Sequence, residues 1–249
     1  MDFDSDIRNK IIIIYSERTK RYSNIILAAI YSNNENNFKI FKKLLKINKS
    51  IEIINKVLVA SIYDSKNLNI EVIKLLIKYG ADVMCRDEYN NIIFMVCFYQ
   101  VITDIEIIEL FIENGANVNN IDDYGKTSLM LIVTNSSTYD HIEIIKLLIR
   151  KGVKINRKTN DSDTALMLCF YSNYNNQIKL EIIKLLLDNK ADIYIKDYFN
   201  RNILDIIIHE IGSCKQNCKF SDIYSLIFNY KNLKDDHLCE FDIDFIYNL

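Results

Sequence analysis

The histidines and cysteines toward the end of the chain are the residues whose types could bind a metal ion. The chain has three His and six Cys, and His209, Cys214, Cys218, His237 and Cys239 lie within 31 residues. Imidazole and thiolate groups are the ligands that zinc prefers. The spacing, Cys-x-x-x-Cys and then His-x-Cys, matches no standard zinc module. We therefore predict no metal site and no cofactor, with a structural zinc ion as the alternative.

Catalytic signatures are absent from the sequence. It has no glycine-rich phosphate loop, no His-Glu-x-x-His and no Gly-x-Ser-x-Gly. Three histidines leave little for general acid–base chemistry. Cys97 and Cys169 occupy the same position of an internal repeat described below, and free Cys packs as a small apolar residue. We predict that both are core residues and that the chain is neither an enzyme nor a binder of a small-molecule substrate.

Charge and hydropathy restrict the partners and the location. A net charge of −2 argues against a chain that coats nucleic acid. No apolar run approaches the roughly 18 residues of a membrane span. The acidic start, Met-Asp-Phe-Asp-Ser-Asp, is unlike a secretory signal, and six cysteines without such a signal are typical of reduced thiols. We expect a cytoplasmic location, with no nucleic-acid or membrane partner.

An internal repeat organises the chain and must position any functional residue. Four segments that begin at Ile70, Ile105, Ile142 and Leu180 align without gaps, at spacings of 35, 37 and 38 residues. Weaker copies begin at Phe38 and Ser221. The apolar residues of each copy cover an arc wider than one neighbour requires, which predicts a helix packed on two sides.

Turn residues and a second, shorter helix follow each repeated segment. Gly80, Gly115 and Gly152 come just past a predicted helix end, where a left-handed residue favours glycine. Lys190 occupies the same register, so we expect strain there. Turn compositions then begin at Asp87, Asp122, Thr159 and Asp197, and shorter helices at Ile92, Thr127, Thr164 and Asn202, with Thr127 and Thr164 as N-caps.

These residues resemble the ankyrin repeat. The similarity lies in Gly-Ala-Asp-Val and Asp-x-x-Gly-x-Thr, followed by a short apolar helix and a Leu-Glu-Val-Val-Lys-Leu-Leu-like helix; it is strongest over Gly115 to Leu148. The family's Thr-Pro-Leu-His survives only as variants such as Thr127-Ser-Leu-Met, since the chain has no proline. The resemblance implies an all-α solenoid of about six helix-turn-helix repeats with short turn fingers and long inter-helix loops.

The resemblance also implies the domain organisation. We predict an N-terminal cap over residues 1–20, a repeat array over 21–230 and a C-terminal cap or tail over 231–249. The approximate repeats are 21–50, 51–86, 87–121, 122–158, 159–196 and 197–230. The long inter-helix loops would lie at Tyr99–Asp104, Thr134–His141, Tyr171–Lys179 and His209–Phe220.

In the ankyrin fold, turn tips and short-helix ends face the concave side, where partners bind. Aromatic residues beside acidic ones are typical of a protein-binding surface, although a chain rich in Tyr also scatters them by composition. Tyr31 and Tyr63 end short helices in the earlier repeats. The predicted binding face consists of Glu88, Tyr89, Tyr99, Asp123, Tyr124, Lys126, Asp161, Asp163, Tyr171, Tyr198, Phe199, Arg201 and His209.

The resemblance thus implies a non-enzymatic scaffold that binds another protein. Long, degenerate repeats of this composition look like those of poxvirus-type host-range and immune-evasion proteins, which implies sequestration or occlusion of a host protein in innate immune signalling. Two alternatives stay open: a cellular adaptor that assembles its own complexes, and a substrate receptor of a ubiquitin ligase. The last would require residues 235–249 to bind a ligase adaptor.

Overall fold

The computed structural model describes residues 35–47, 50–64, 68–102, 104–135, 140–173, 175–213 and 221–234. The chain divides into a first unit, Met1–Ala116, and a second unit, Asn117–Leu249. The N-terminal cap predicted for residues 1–20 lies outside the described residues. Of the predicted C-terminal cap or tail, only residues 231–234 are described, and they belong to the helix Ser221–Lys234.

The described part of the first unit consists of helices and connecting turns. Its helices are α1 (Glu35–Ile47), α2 (Ile51–Tyr63), α3 (Ile70–Lys78), α4 (Ile93–Tyr99) and α5 (Ile105–Glu113). Helix α2 packs on α3 and α4, and α5 packs on α3 and α4. Helix α3 thus contacts α2 of its own repeat and α5 of the next one.

The second unit repeats this arrangement. Its described helices are α6 (Ser128–Thr134), α7 (Asp140–Arg150), α8 (Ala165–Tyr171), α9 (Asn176–Asp188), α10 (Ile203–Ser213) and α11 (Ser221–Lys234). The short helices α6 and α8 pack on each other, and each packs on the long helix that follows it. Helix α11 packs on α9 and α10, and the Tyr230 hydroxyl donates a hydrogen bond to the Leu187 carbonyl oxygen of α9. The predicted all-α repeat solenoid is confirmed, since the described residues form no strand beyond isolated bridges.

The short helices are buried on every side because helices flank them. All residues from Ile93 to Phe98 in α4 are buried, as are those from Ser128 to Val133 in α6. Cys97 and Cys169 are fully buried, which confirms the prediction that they are core residues. Burial also raises the pKa of the Cys169 thiol to about 12, so this thiol stays protonated near neutral pH.

The helix ends confirm the predicted role of glycine. Gly80, Gly115 and Gly152 have φ of 95°, 99° and 82°, and the next residue's N–H donates back into the helix, as from Ala81 to the Leu76 oxygen at 3.0 Å. Lys190 adopts the same conformation, with φ 69°. The expected strain at Lys190 is therefore present, because a Cβ is disfavoured at positive φ.

Replacing Lys190 with glycine is expected to stabilise the second unit. Relief of the left-handed strain outweighs the extra freedom of glycine in the unfolded chain, for a net gain of about 0.5–1 kcal/mol. Urea unfolding would measure this gain. The reciprocal variant, Gly152→Lys, has open space around its new Cβ and should lose a similar amount. A Lys190→Gly protein no more stable than the parent would contradict the expected strain.

Two inter-helix loops are shorter than the sequence predicted. Helix α10 extends to Ser213, so residues 209–213 of the loop predicted for His209–Phe220 are helical. Helix α9 begins at Asn176, so the loop predicted for Tyr171–Lys179 is reduced to residues 172–175. The Asn175 side chain caps the extension by accepting a hydrogen bond from the Ile178 N–H at 3.0 Å. Ile178 is buried at helical spacing from Ile182, which favours helix over loop.

A lysine is buried beside this extension. Lys179 is only 5% exposed, and its Nζ donates hydrogen bonds of 2.8 Å to the carbonyl oxygens of Phe170 and Ser172. These bonds satisfy carbonyls at the C-terminal end of α8, which is where a cation is favoured. Burial lowers the pKa of Lys179. The sequence pattern predicted a loop at Lys179 and gave no sign of its capping role.

Candidate functional site

Four five-residue turns, which we call the fingers, carry the predicted tip residues. They are Asp87–Asn91 in the first unit and Asp122–Lys126, Thr159–Asp163 and Asp197–Arg201 in the second. In each finger the N–H of the first residue donates to the carbonyl oxygen of the fifth, at 2.9–3.0 Å. The fourth residue has positive φ, at Asn90, Gly125, Ser162 and Asn200.

The side chain of the first residue closes each finger. Asp197 Oδ1 accepts hydrogen bonds from the N–H groups of Phe199 and Arg201, at 2.8 and 2.9 Å. Asp87 and Asp122 accept the corresponding pairs. Thr159 accepts one, from the Asp163 N–H at 3.1 Å. The finger conformation is therefore fixed by bonds made within five residues.

The second and third residues of each finger project into solvent as a consequence. Tyr89, Tyr124, Tyr198 and Phe199 are 70%, 70%, 78% and 72% exposed. Glu88, Asp123 and Asp161 are also exposed at the tips. Tyr198 and Phe199 also contact each other, and exposed apolar side chains that adjoin are typical of an interaction surface. The structure thus places all seven predicted tip residues on the surface, two in the first unit and five in the second.

The remaining predicted residues lie at the finger ends and on the short helices. Tyr99 and Tyr171 end α4 and α8, His209 is in α10, and all three are exposed. Lys126, Asp163 and Arg201 are the fifth residues of the second unit's fingers and are half-buried. That these residues contact a partner stays a prediction.

Arg201 is held by its own finger. Its Nε and Nη2 lie 3.0 and 2.8 Å from Asp197 Oδ2, and its guanidinium carbon is 4.9 Å from the centroid of the Phe199 ring. The hydrogen bond to Asp197 raises the pKa of Arg201. Burial alone would raise the pKa of Asp197, but its hydrogen bonds with Arg201 outweigh burial and lower it. Arg201 therefore anchors the finger and holds the Phe199 ring.

Asp163 lies among several charged groups in the second unit. Burial, followed by the carboxylates of Asp197 and Asp161, raises its pKa, while Arg201 and Lys126 oppose the shift. Burial likewise raises the pKa of Tyr171, whose charged neighbours include Arg201 and Glu210. The last two fingers and the end of α8 thus form one electrostatic neighbourhood within the second unit.

A tyrosine links a helix end to a finger in the first unit. The Tyr63 hydroxyl donates a hydrogen bond of 2.6 Å to Asp87 Oδ2, the carboxylate that also closes the finger. Burial, then Asp87, raises the pKa of Tyr63. The Tyr63 hydroxyl thus helps to fix the finger, and that the exposed Tyr63 ring also contacts a partner stays a prediction; Tyr31 lies outside the described residues. The signal for this role was the position of Tyr63 at a helix end, 24 residues before the aspartate.

Asparagines connect successive repeats, a role that sequence analysis missed. Asn160 donates to the carbonyl oxygens of Tyr124 and Asp123 through its backbone N–H and its Nδ2, at 3.0 and 2.9 Å. Asn119 accepts from the Lys154 N–H at 2.7 Å, and Asn156 accepts from the Asp192 N–H at 2.8 Å. Asn119 and Asn156 each follow a helix-ending glycine by four residues, so their shared register was the available signal.

Four of the five residues considered as metal ligands lie outside the described part of the chain. Cys214, Cys218, His237 and Cys239 lie outside the described residues, while His209 is exposed, with its Nδ1 3.7 Å from Glu210 Oε1. Within the described part of the chain, no three His, Cys, Asp or Glu side chains are grouped as a metal site requires. The same residues include no helix long and apolar enough to cross a membrane.

Comparison with known proteins identifies the repeat. A family model described as ankyrin repeats, in three copies, matches residues 57–159 and 94–197. The two matches together cover more than half of the chain and include the first three fingers. No curated protein matches the chain, so the narrower resemblance to poxvirus-type proteins gains no support.

Proposed function

Because the chain belongs to the ankyrin-repeat family, whose repeats form a scaffold for protein–protein interaction, we propose that its fingers and short-helix ends bind another protein. The observation that carries this proposal is the set of exposed aromatic side chains on closed fingers, Tyr89, Tyr124, Tyr198 and Phe199. The chain acts by occupying its partner's surface and does no chemistry on it.

The closed fingers favour binding because their backbone is already ordered, so binding does not have to offset the entropy cost of ordering it. Each finger is fixed by hydrogen bonds of its own, so the aromatic tips are already positioned before a partner arrives. Tyr and Phe supply a large contact area with two side-chain torsions each. Buried aromatic anchors supply much of the binding energy in protein interfaces.

Replacing Tyr89, Tyr124 and Phe199 together with Ala tests the proposal. The partner would first be identified by affinity purification of the intact chain and mass spectrometry. We expect the triple variant to bind this partner at least about 100-fold more weakly, because each anchor contributes about 1–2 kcal/mol. Helical circular dichroism should be unchanged, since these side chains are exposed.

A matched control removes exposed side chains outside the fingers. Ile51 and Tyr194 are 57% and 46% exposed, and their replacement with Ala should leave binding within about twofold of the parent. If instead the triple variant binds as well as the parent, the finger surface is the wrong face. The long inter-helix loops would then become the better candidates.

The resemblance to poxvirus-type chains supports a narrower form of this proposal. In that form the partner is a host protein of innate immune signalling, and the chain sequesters or occludes it in the cytoplasm. Inhibition of the partner should then saturate at a 1:1 ratio, because an occluding scaffold does not turn over. Continued loss of partner activity at substoichiometric amounts would contradict this form. Loss of a co-purified ligase subunit on deletion of residues 235–249 would favour the ubiquitin-ligase alternative.

A further inference from the structure

The second unit carries a surface that is both aromatic and acidic, which we call the finger surface. Tyr124, Tyr198 and Phe199 project from finger tips, and the Tyr198 and Phe199 rings meet edge to face with centroids 5.5 Å apart. Its members belong to three successive repeats, so one extended partner segment can contact several of them. The finger surface consists of Tyr124, Asp161, Asp163, Tyr171, Tyr198 and Phe199.

Acidic side chains outweigh the available positive charge here. Asp197, whose side chain is only 4% exposed, holds Arg201 in an ion pair of 2.8 Å. The positive charge of Arg201, which lies beside the finger surface, is therefore already paired. Lys126 is left to balance the carboxylates around Asp163. The finger surface therefore complements a positively charged partner.

Within the finger surface, the Asp163 carboxylate lacks a hydrogen-bond donor or a cation as its partner among the described residues. Its backbone N–H donates to Thr159, but in the described part of the chain its carboxylate oxygens have no hydrogen bond or ion pair. The side chain is half-buried, and burial together with Asp197 and Asp161 raises its pKa. A cation placed next to the Asp163 carboxylate would compensate the carboxylate for its lost hydration and for the repulsion by Asp197 and Asp161.

Building on the proposed function, we propose that the partner presents a basic segment. An Arg or Lys side chain of that segment pairs with Asp163 while the residues beside it pack on Tyr171, Tyr198 and Phe199. Arginine suits this surface best, because its planar guanidinium donates two N–H groups to a carboxylate and also stacks on aromatic rings. The contact between Arg201 and the Phe199 ring is an example of such stacking within the chain.

Short synthetic peptides test this partner chemistry without knowledge of the partner. The probes are Gly-Ser-Arg-Tyr-Arg-Ser-Gly and the same peptide with Glu in place of each Arg, titrated into the full chain and followed by NMR. We expect the Arg peptide to bind and shift the ring resonances of Tyr171, Tyr198 and Phe199. Its affinity should fall as salt is raised, because the interaction is between opposite charges. Equal or tighter binding of the Glu peptide would overturn the proposal.

The variant Asp163→Asn tests the basic partner segment separately from the proposed function, which is protein binding by the fingers. It keeps the shape of the side chain and removes the charge, and we expect about a tenfold loss in affinity for the Arg peptide. Asp188→Asn makes the same charge change at an exposed residue at the end of α9 and should have no effect. Unchanged peptide binding by Asp163→Asn overturns the pairing. If the aromatic triple variant still loses its partner, the proposed function survives that failure.

Discussion

Replacing Gly125 with Ala is expected to destabilise the second unit by about 2–4 kcal/mol. Gly125 has φ 75°, where a side chain costs about 1–2 kcal/mol. A Cβ built there would also lie 2.9 Å from the backbone nitrogen of Asn160 and 2.7 Å from its Oδ1. The backbone nitrogen cannot move without weakening its 3.0 Å hydrogen bond to the Tyr124 oxygen. Strain and a steric clash therefore add at this one position.

Gly152→Ala is the matched control for this prediction. Gly152 has φ 82°, but nothing lies within 4 Å of a Cβ built on it. It should lose only the net cost of the conformation, about 0.5–1 kcal/mol, as expected for Gly152→Lys. Urea unfolding followed by far-UV circular dichroism measures both variants under the same conditions. Equal losses in the two variants would mean that the clash with Asn160 is relieved at no cost.

The helices and their ends could be predicted because their causes are local. The repeated segments gave the long helices, and their common register put positive φ at Gly80, Gly115 and Gly152. The same register identified Lys190 as the exception, which its φ of 69° confirms. Thr127 and Thr164 cap the short helices as predicted, by accepting from the N–H groups three residues later. Each of these outcomes depends on residues a few positions apart.

Contacts between repeats could not be predicted in the same way. Asn160 and Tyr63 bond to groups 37 and 24 residues away, and no local pattern marks either residue for that role. Lys179 looked like a loop residue because its burial depends on α8 ending beside it. Only the packed structure brings these partners together, so a repeat pattern gives the scaffold but not its cross-links.

The same distinction between local features and contacts made on folding applies to the candidate binding residues. Tyr89, Tyr124 and Phe199 are exposed because of finger geometry, which the Asp-x-x-Gly pattern already implies. Arg201 looked equally available from its position, yet it pairs with Asp197 four residues earlier. The spacing resembles that of a helical ion pair, but here a turn produces it. Finger position therefore predicts which residues reach the surface and leaves open which of them are already paired.

Asp197→Ala is expected to cost about 2–4 kcal/mol of stability in the second unit, because it removes hydrogen bonds from a charged acceptor that closes the finger. The substitution removes the acceptor for the N–H groups of Phe199 and Arg201 and the partner of the Arg201 guanidinium. Asp197→Asn keeps an oxygen for the two N–H groups and loses only the charge. It should cost less, about 1–3 kcal/mol.

The pH dependence of that difference identifies the charge as its cause. Burial alone would raise the pKa of Asp197. The hydrogen bonds from Arg201 outweigh burial, so this pKa lies below its ordinary value of 3.8. A group with a lowered pKa in the folded state contributes its full stability above the ordinary value and loses it as the pH falls through the folded value. The stability difference between the parent and Asp197→Asn should thus be constant from pH 7 to about 5 and shrink below about 4. A difference that persists at pH 2–3 would mean that the amide fails for reasons of shape. Since Arg201 also holds the Phe199 ring, loss of the charge should release a finger tip that the proposed binding surface needs in place.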